Sequence, residues 1–324
     1  MDLPQLLIKT LSNMSKKLKF LLFSSIGLLF AGMAYLFFTG MTTKAEENNP
    51  SGTEMILFEE GINYAVPVPL PDPAFFAGEE VPAGTFYVRE QLDREMTVNT
   101  YWHSSTLLSM KRSARWFPVI EPILAKNGIP DDFKYLALAE SGLANVVSPA
   151  GAAGFWQFLE GTGRECGLIV NKEVDERYHL VKATEAACVY LKAAYQKFGN
   201  WTLVAASYNA GQGRIIEATS KQRENNFYNL FLNDETSRYI FRILAMKYIW
   251  ENPVKYGFKL HPEDLYKPLN TKFVNVSTSI PDLVTFAKEN KTTFRMLKEL
   301  NPWLRADKLI VPAGSSFDIM LPAE

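Results

Sequence analysis

The sequence predicts a mainly helical domain, followed by a small module of two strands and two helices, behind an apolar N-terminal segment. Three observations carry this. One uncharged run near the start has membrane length, helical periodicity fills the middle of the chain, and the texture switches to alternation, helix, helix, alternation after about Pro262. A chain of 324 residues has room for one fair-sized domain and something smaller.

The N-terminal run, Phe20 to Phe38, is uncharged and follows Lys16, Lys17 and Lys19. As a helix rising ~1.5 Å per residue, it would span about the hydrocarbon core of a bilayer. Lysines favour the cytoplasmic side, so everything after Gly40 is expected outside. Residues 1–40 therefore read as a membrane anchor, or as a signal segment that starts at Met14 and ends near Ala45. Residues 41–84 read as a linker and a surface-hugging extension. Pro67, Pro69, Pro71 and Pro73 alternate there, which favours extended, polyproline-like backbone over helix.

From about Thr85 to Trp250 the chain reads as helical. Asp131 follows Pro130 and can cap a helix, with Asp132 in the first turn. Phe133, Leu136, Ala137 and Glu140 then share one face, and Gly142 is a natural stop. A second helix spans about Thr184 to Phe198 and is expected to bury Ala187, Cys188, Leu191, Ala194, Tyr195 and Phe198. A third runs from near Thr202 to near Gly211, and Glu235 to Trp250 makes another. Strands are expected at Phe273–Ser277 and Ser316–Leu321, flanking helices at Pro281–Asn290 and Thr293–Leu300. The domains are thus 85–260 and 270–324.

Composition narrows the function classes. With 34 basic and 35 acidic side chains, nothing points to a nucleic-acid partner. His103, His179 and His261 are isolated and no Cys/His spacing suits a metal, so no metal or cofactor is expected. Cys166 and Cys188 could pair after export, but Cys188 falls on the apolar helix face, which favours free thiols.

The chemistry centres on Glu140. A carboxyl that ends an apolar stripe at a helix C-terminus resists ionisation, through burial and through the partial negative charge of the helix end. Glycoside cleavage needs such a proton donor for the leaving oxygen. The plainer alternative is a helix-end Glu that reaches water, and position alone does not separate the two.

The residues that follow do. The stretch from Glu140, Ser141 and Gly142 through Ser148, Pro149, Gly151 and Gly154 to Phe155, Trp156 and Gln157 resembles the catalytic segment of soluble-lytic-transglycosylase-type domains. Ala206-Ser207-Tyr208-Asn209-Ala210-Gly211 resembles their second signature, and Glu235 to Tyr239 resembles the third. The resemblance covers roughly residues 85–255 and is nearest to the membrane-bound D-type branch, in which LysM modules follow the catalytic domain. It implies a lysozyme-like fold and cleavage of peptidoglycan glycan strands. Carried over by position, it implies Glu140 as acid/base and Ser148 as a contact for the substrate's N-acetyl group. It further implies that Ser141, Gly154, Trp156, Gln157, Tyr208, Asn209 and Tyr239 bind substrate, with Gly151 and Gly154 keeping a loop close to the glycan. Glu140 and Ser148 stand one position nearer than is usual in the family. Taken singly, Trp156 and Tyr208 read equally well as core aromatics, and Asn209 to Gly211 as a helix cap.

The resemblance also implies a lyase. Ordinary hydrolysis uses two carboxylates, and Glu160, Glu165, Asp175 and Glu185 lie outside the matched positions. The family's route leaves 1,6-anhydro-MurNAc ends with one acid. A goose-type lysozyme-like hydrolase and a non-catalytic wall-binding protein are the alternatives. Residues 270–324 resemble a LysM domain through Lys298 to Pro302 and Val311 to Gly314, though Thr278 to Pro281 departs from its usual opening. Glycan binding and a purely structural cap both remain open for that module.

Overall fold

The computed structural model describes residues 65–323. The apolar run 20–38, the rest of the N-terminal segment and residues 41–64 lie outside the described residues. No helix among the described residues is long and apolar enough to cross a membrane.

The described chain is mainly helical, as expected, but it opens on a hairpin. Strands β1 (Ala74–Phe76) and β2 (Glu79–Val81) pair antiparallel, Ala74 opposite Val81 and Phe76 opposite Glu79. Ala77 and Gly78 both have positive φ, 51° and 82°, which matches the tight turn that suits a twisted two-residue hairpin. This corrects the reading of residues up to 84 as a linker on the surface. Ala74, Phe76 and Val81 are buried, and Phe76 sits 5.4 Å from the ring of Phe133. Strands of three residues are too short for alternation to reveal them.

Two long helices follow, α1 (Phe86–Tyr101) and α2 (His103–Lys126). Next comes α3 (Phe133–Ser141), which buries Phe133, Tyr135, Leu136, Ala137 and Leu138 and ends on Gly142 in the left-handed region, φ 59°. Its start differs from expectation. Asp132, not Asp131, takes the cap position and makes no side-chain cap bond. Its carboxylate instead accepts from Lys247 at 2.6 and 2.8 Å and from the Ala77 amide at 2.6 Å, while Asp131 pairs with Lys134. An ion pair to another helix and a tie to the hairpin outcompete the local cap.

A short α4 (Glu160–Glu165) precedes α5 (Leu180–Phe198), which begins four residues earlier than its periodicity predicts. Ala187, Cys188, Leu191 and Ala194 are buried as expected. Tyr195 is 38 % exposed and Phe198 only half-buried, because Tyr195 leaves the core to stack on Trp201 at 4.1 Å. Cys166 and Cys188 are unpaired. Helices α6 (Trp201–Ala210), α7 (Gln212–Gln222) and α8 (Asp234–Glu251) complete the helical part. Glu79 of β2 caps α6, accepting from the amides of Trp201 and Thr202.

The C-terminal module has the expected βααβ order. Strand β3 (Thr271–Val276) pairs antiparallel with β4 (Phe317–Pro322), and α9 (Leu283–Glu289) and α10 (Phe294–Leu300) lie between them in sequence. Asp282 and Thr293 cap the two helices through their side chains. Leu283, Ala287, Leu297, Ile319 and Leu321 form its core, which also takes in Ala153, Val174 and Tyr178 from the helical part.

Candidate active site

Glu140 stands in the last turn of α3, half-buried, at the floor of a cleft of about 740 Å³. Gly142 stops the helix immediately after it, so the carboxyl faces open space rather than another turn. The Tyr239 hydroxyl, rising from α8, donates to Glu140 Oε1. Burial holds the Glu140 carboxyl above the usual carboxylate range. The neighbouring charge of Glu235 pushes the same way, while the Tyr239 hydrogen bond and Arg242 oppose. Arg242 is itself drawn toward buried Glu95, 3.9 Å away, which Arg238 also engages at 2.7 Å. Burial also keeps the phenols of Tyr239 and Tyr208 far above their ordinary range, so Tyr239 is a neutral donor.

The cleft brings together Glu140, Ser148, Gln157, Tyr208 and Asn209. Tyr208 donates to the Trp156 carbonyl at 2.7 Å and so fixes its ring. Asn209 Oδ1 accepts from the Thr236 hydroxyl at 3.0 Å. Ser148 Oγ accepts the Ala152 amide at 3.0 Å, which leaves its own proton free to donate. Gln157 adopts φ 49° and turns its amide back onto the carbonyls of Gly154 (2.8 Å) and Val146 (3.0 Å), leaving its side-chain oxygen as the free acceptor.

Five residues that the resemblance assigned to the substrate or its loop do not line the cleft. Trp156 is fully buried and donates to Thr184 Oγ1 at 2.9 Å, so it is a core side chain. Ser141 Oγ lies 2.9 Å from the Phe155 carbonyl and accepts the Leu143 amide at 3.1 Å, holding the loop to the helix end. Gly154 has φ 79°, and a Cβ there would lie 1.9 Å from the Arg177 carbonyl oxygen, so its bare backbone serves close packing inside the protein. Gly151 has φ 81° and open space where a Cβ would stand. Tyr239 is 1 % exposed and reaches the cleft through Glu140 alone.

The cleft also holds residues that sequence reasoning did not single out as site members, above all Glu235 and Arg214, with Tyr190, Phe158, Leu159 and Thr162. Glu235 opens the third signature, which is the one signal for it in the sequence. It lies 3.4 Å from Asn209 Nδ2. The acids weighed from the sequence sit elsewhere. Glu160 pairs with Arg164 at 2.7 Å, and Asp175 is gripped by Arg177.

Comparison with known proteins agrees with this geometry. Residues 118–231 match the family described as Transglycosylase SLT domain, and residues 272–324 match the Soluble lytic transglycosylase C-terminal LysM-like domain. The chain is 32 % identical over 198 residues to Membrane-bound lytic murein transglycosylase D of Escherichia coli strain K12, covering 58 % of this chain and 43 % of the relative. The same protein of Escherichia coli O6:H1 matches equally. The chain thus spans less than half the length of these relatives.

Proposed function

From a transglycosylase SLT domain over residues 118–231 and a LysM-like domain over 272–324, we propose that this protein is a peptidoglycan lytic transglycosylase. It would cleave the MurNAc–GlcNAc β-1,4 bond and leave 1,6-anhydro-MurNAc ends. The observation that carries this is the half-buried Glu140 carboxyl, raised in proton affinity and opening onto a cleft of strand-binding size.

Glu140 gives its proton to the glycosidic oxygen as the C1–O bond breaks, and the GlcNAc-side hydroxyl departs. The carboxylate left behind accepts the hydrogen bond of Tyr239, which limits the cost of a charge in that partly buried place. It then takes the proton of the muramic acid's own C6 hydroxyl, whose oxygen bonds to C1 and closes the anhydro ring. No water is consumed and Glu140 ends protonated, ready for the next cut. Ser148 would donate to the N-acetyl carbonyl, with Gln157, Tyr208 and Asn209 lining the cleaved sugar. Ser141, Gly154 and Trp156 would act on substrate only through the loop they shape.

Glu140→Gln keeps the shape and removes the proton. It should leave folding and glycan retention intact while fragment release from purified sacculi drops by at least ~10²-fold. Comparable release by that variant would overturn the assignment. A hydrolase is the second reading, and Glu235 on the cleft wall is the observation that favours it. Residues 20–38 would hold the protein at the periplasmic face, or guide its export before cleavage. A reporter joined after Pro50 should then work only in its exported form, and activity in the cytoplasm would contradict the peptidoglycan reading.

A further inference from the structure

We propose that the C-terminal module supports the catalytic loop mechanically, and that Asp175 and Arg177 are the positioning residues through which it acts. The proposal rests on the reading of Glu140 given above.

The segment from Glu173 to Tyr178 has two sides. Toward the module it is joined by backbone: the Asp175 amide donates to the Trp303 carbonyl at 2.9 Å, and the Arg305 amide to the Glu173 carbonyl at 2.7 Å. Val174 and Leu304 form an antiparallel bridge between these bonds. Side chains add to it. The Arg305 guanidinium lies 4.3 Å from the Tyr178 ring centre, and Val174 and Tyr178 are buried among Trp303, Leu304 and the rest of the module's core.

Toward the cleft the same segment offers one side chain. Arg177 Nη1 donates to the carbonyls of Gly151 (3.0 Å) and Phe158 (3.2 Å), the two ends of the loop that follows Ser148. Asp175 grips the rest of the guanidinium, 2.9 Å to Nε and 2.7 Å to Nη2, so the planar fork cannot swing. Gly154 lies directly on the Arg177 carbonyl, and Ala153 inserts into the module's core. Within that loop, the Ala152 amide holds Ser148 Oγ, the Trp156 carbonyl holds Tyr208, and Gln157 lines the cleft. A module that only captured glycan would need none of this joinery. A shift of about 1 Å in such a loop is enough to cost ~10²-fold in rate.

Arg177→Lys keeps the charge but cannot span both carbonyls and Asp175 together. Arg305→Pro, on the module, removes the amide bonded to Glu173 and the cation over Tyr178. In the full chain, both should lower kcat by about 10- to 100-fold with KM little changed. Both should also raise amide exchange across residues 148–158. A loosened loop admits water to Glu140, so the alkaline limb of the rate profile should move to lower pH. The other groups that act on that carboxyl are unaltered: Tyr239, Glu235 and Arg242 on α8, and Tyr208 on α6.

Exchange across residues 271–323 reports whether Arg305→Pro leaves the module folded. Folded or not, loss of its grip must loosen residues 148–158. Unchanged exchange there, or unchanged kcat and pH profile in both variants, overturns the proposal. Should the unmodified chain release no anhydro ends, the catalytic reading falls, whereas loop exchange measured without substrate still decides the coupling.

Discussion

A general acid working near neutral pH must hold its proton against solvent while staying open to the leaving oxygen, and the proposed acid, Glu140, stands half-buried at a helix end on the cleft. Its proton affinity is the balance of burial and Glu235 against Tyr239 and Arg242. The raised value puts the working, protonated form below that pKa, so activity should be lost as pH rises through it. Glu235→Gln removes a like charge and should move that alkaline limb to lower pH, with turnover kept within about tenfold if Glu235 only tunes Glu140. A pH–rate series on sacculi checks both, and a loss of ~10²-fold or more would mark Glu235 as a second working acid. At this scale the sequence was only partly legible. The stripe through Phe133, Leu136 and Ala137 pointed Glu140 the right way, because helix period alone fixes the face. Matching residue types could not tell Ser148, which lines the cleft, from Trp156, which is core. That difference depends on where Thr184 and Tyr208 come to lie after folding.

Elements explain why the site keeps its shape. Helices α3, α6 and α8 deliver Glu140, Tyr208 and Tyr239 from three directions, and the β1–β2 hairpin clamps two of them. Ala77 binds Asp132 at the start of α3, and Glu79 caps the start of α6. A carboxylate at a helix N-terminus satisfies free amides and complements the helix dipole. Glu79→Ala should therefore cost about 1–2 kcal/mol and lower Tm by roughly 2–8 °C. Thermal unfolding followed by circular dichroism measures this, and an unchanged Tm would mean the hairpin is not a clamp. Long periodic helices and the βααβ order could be read from the sequence because each satisfies its own backbone locally. The hairpin could not, since its three-residue strands gain their stability from Phe133 and from helix ends distant in sequence. The cap expected at Asp131 failed for a related reason: Asp132 takes the cap position, and Lys247 and the Ala77 amide, partners that local pattern does not contain, occupy its carboxylate.

At the scale of the whole molecule, the helical part and the C-terminal module share core residues and backbone bonds, and the segment between them also holds the loop that lines the cleft. The central claim is that one carboxyl cuts the strand and the sugar's own C6 hydroxyl finishes the reaction. That hydroxyl is tethered to the reacting carbon, so its attack avoids the entropy of capturing a water, an advantage worth several orders of magnitude when alignment is good. Hydrolysis would instead require a second carboxylate, ~5–5.5 Å away for retention or ~6.5–9.5 Å for inversion. The direct test is mass spectrometry of the ends released from purified sacculi in water enriched in oxygen-18. Anhydro ends, one water lighter than reducing ends and free of the label, are expected. Predominantly reducing ends that each carry one labelled oxygen would contradict the account and identify a hydrolase.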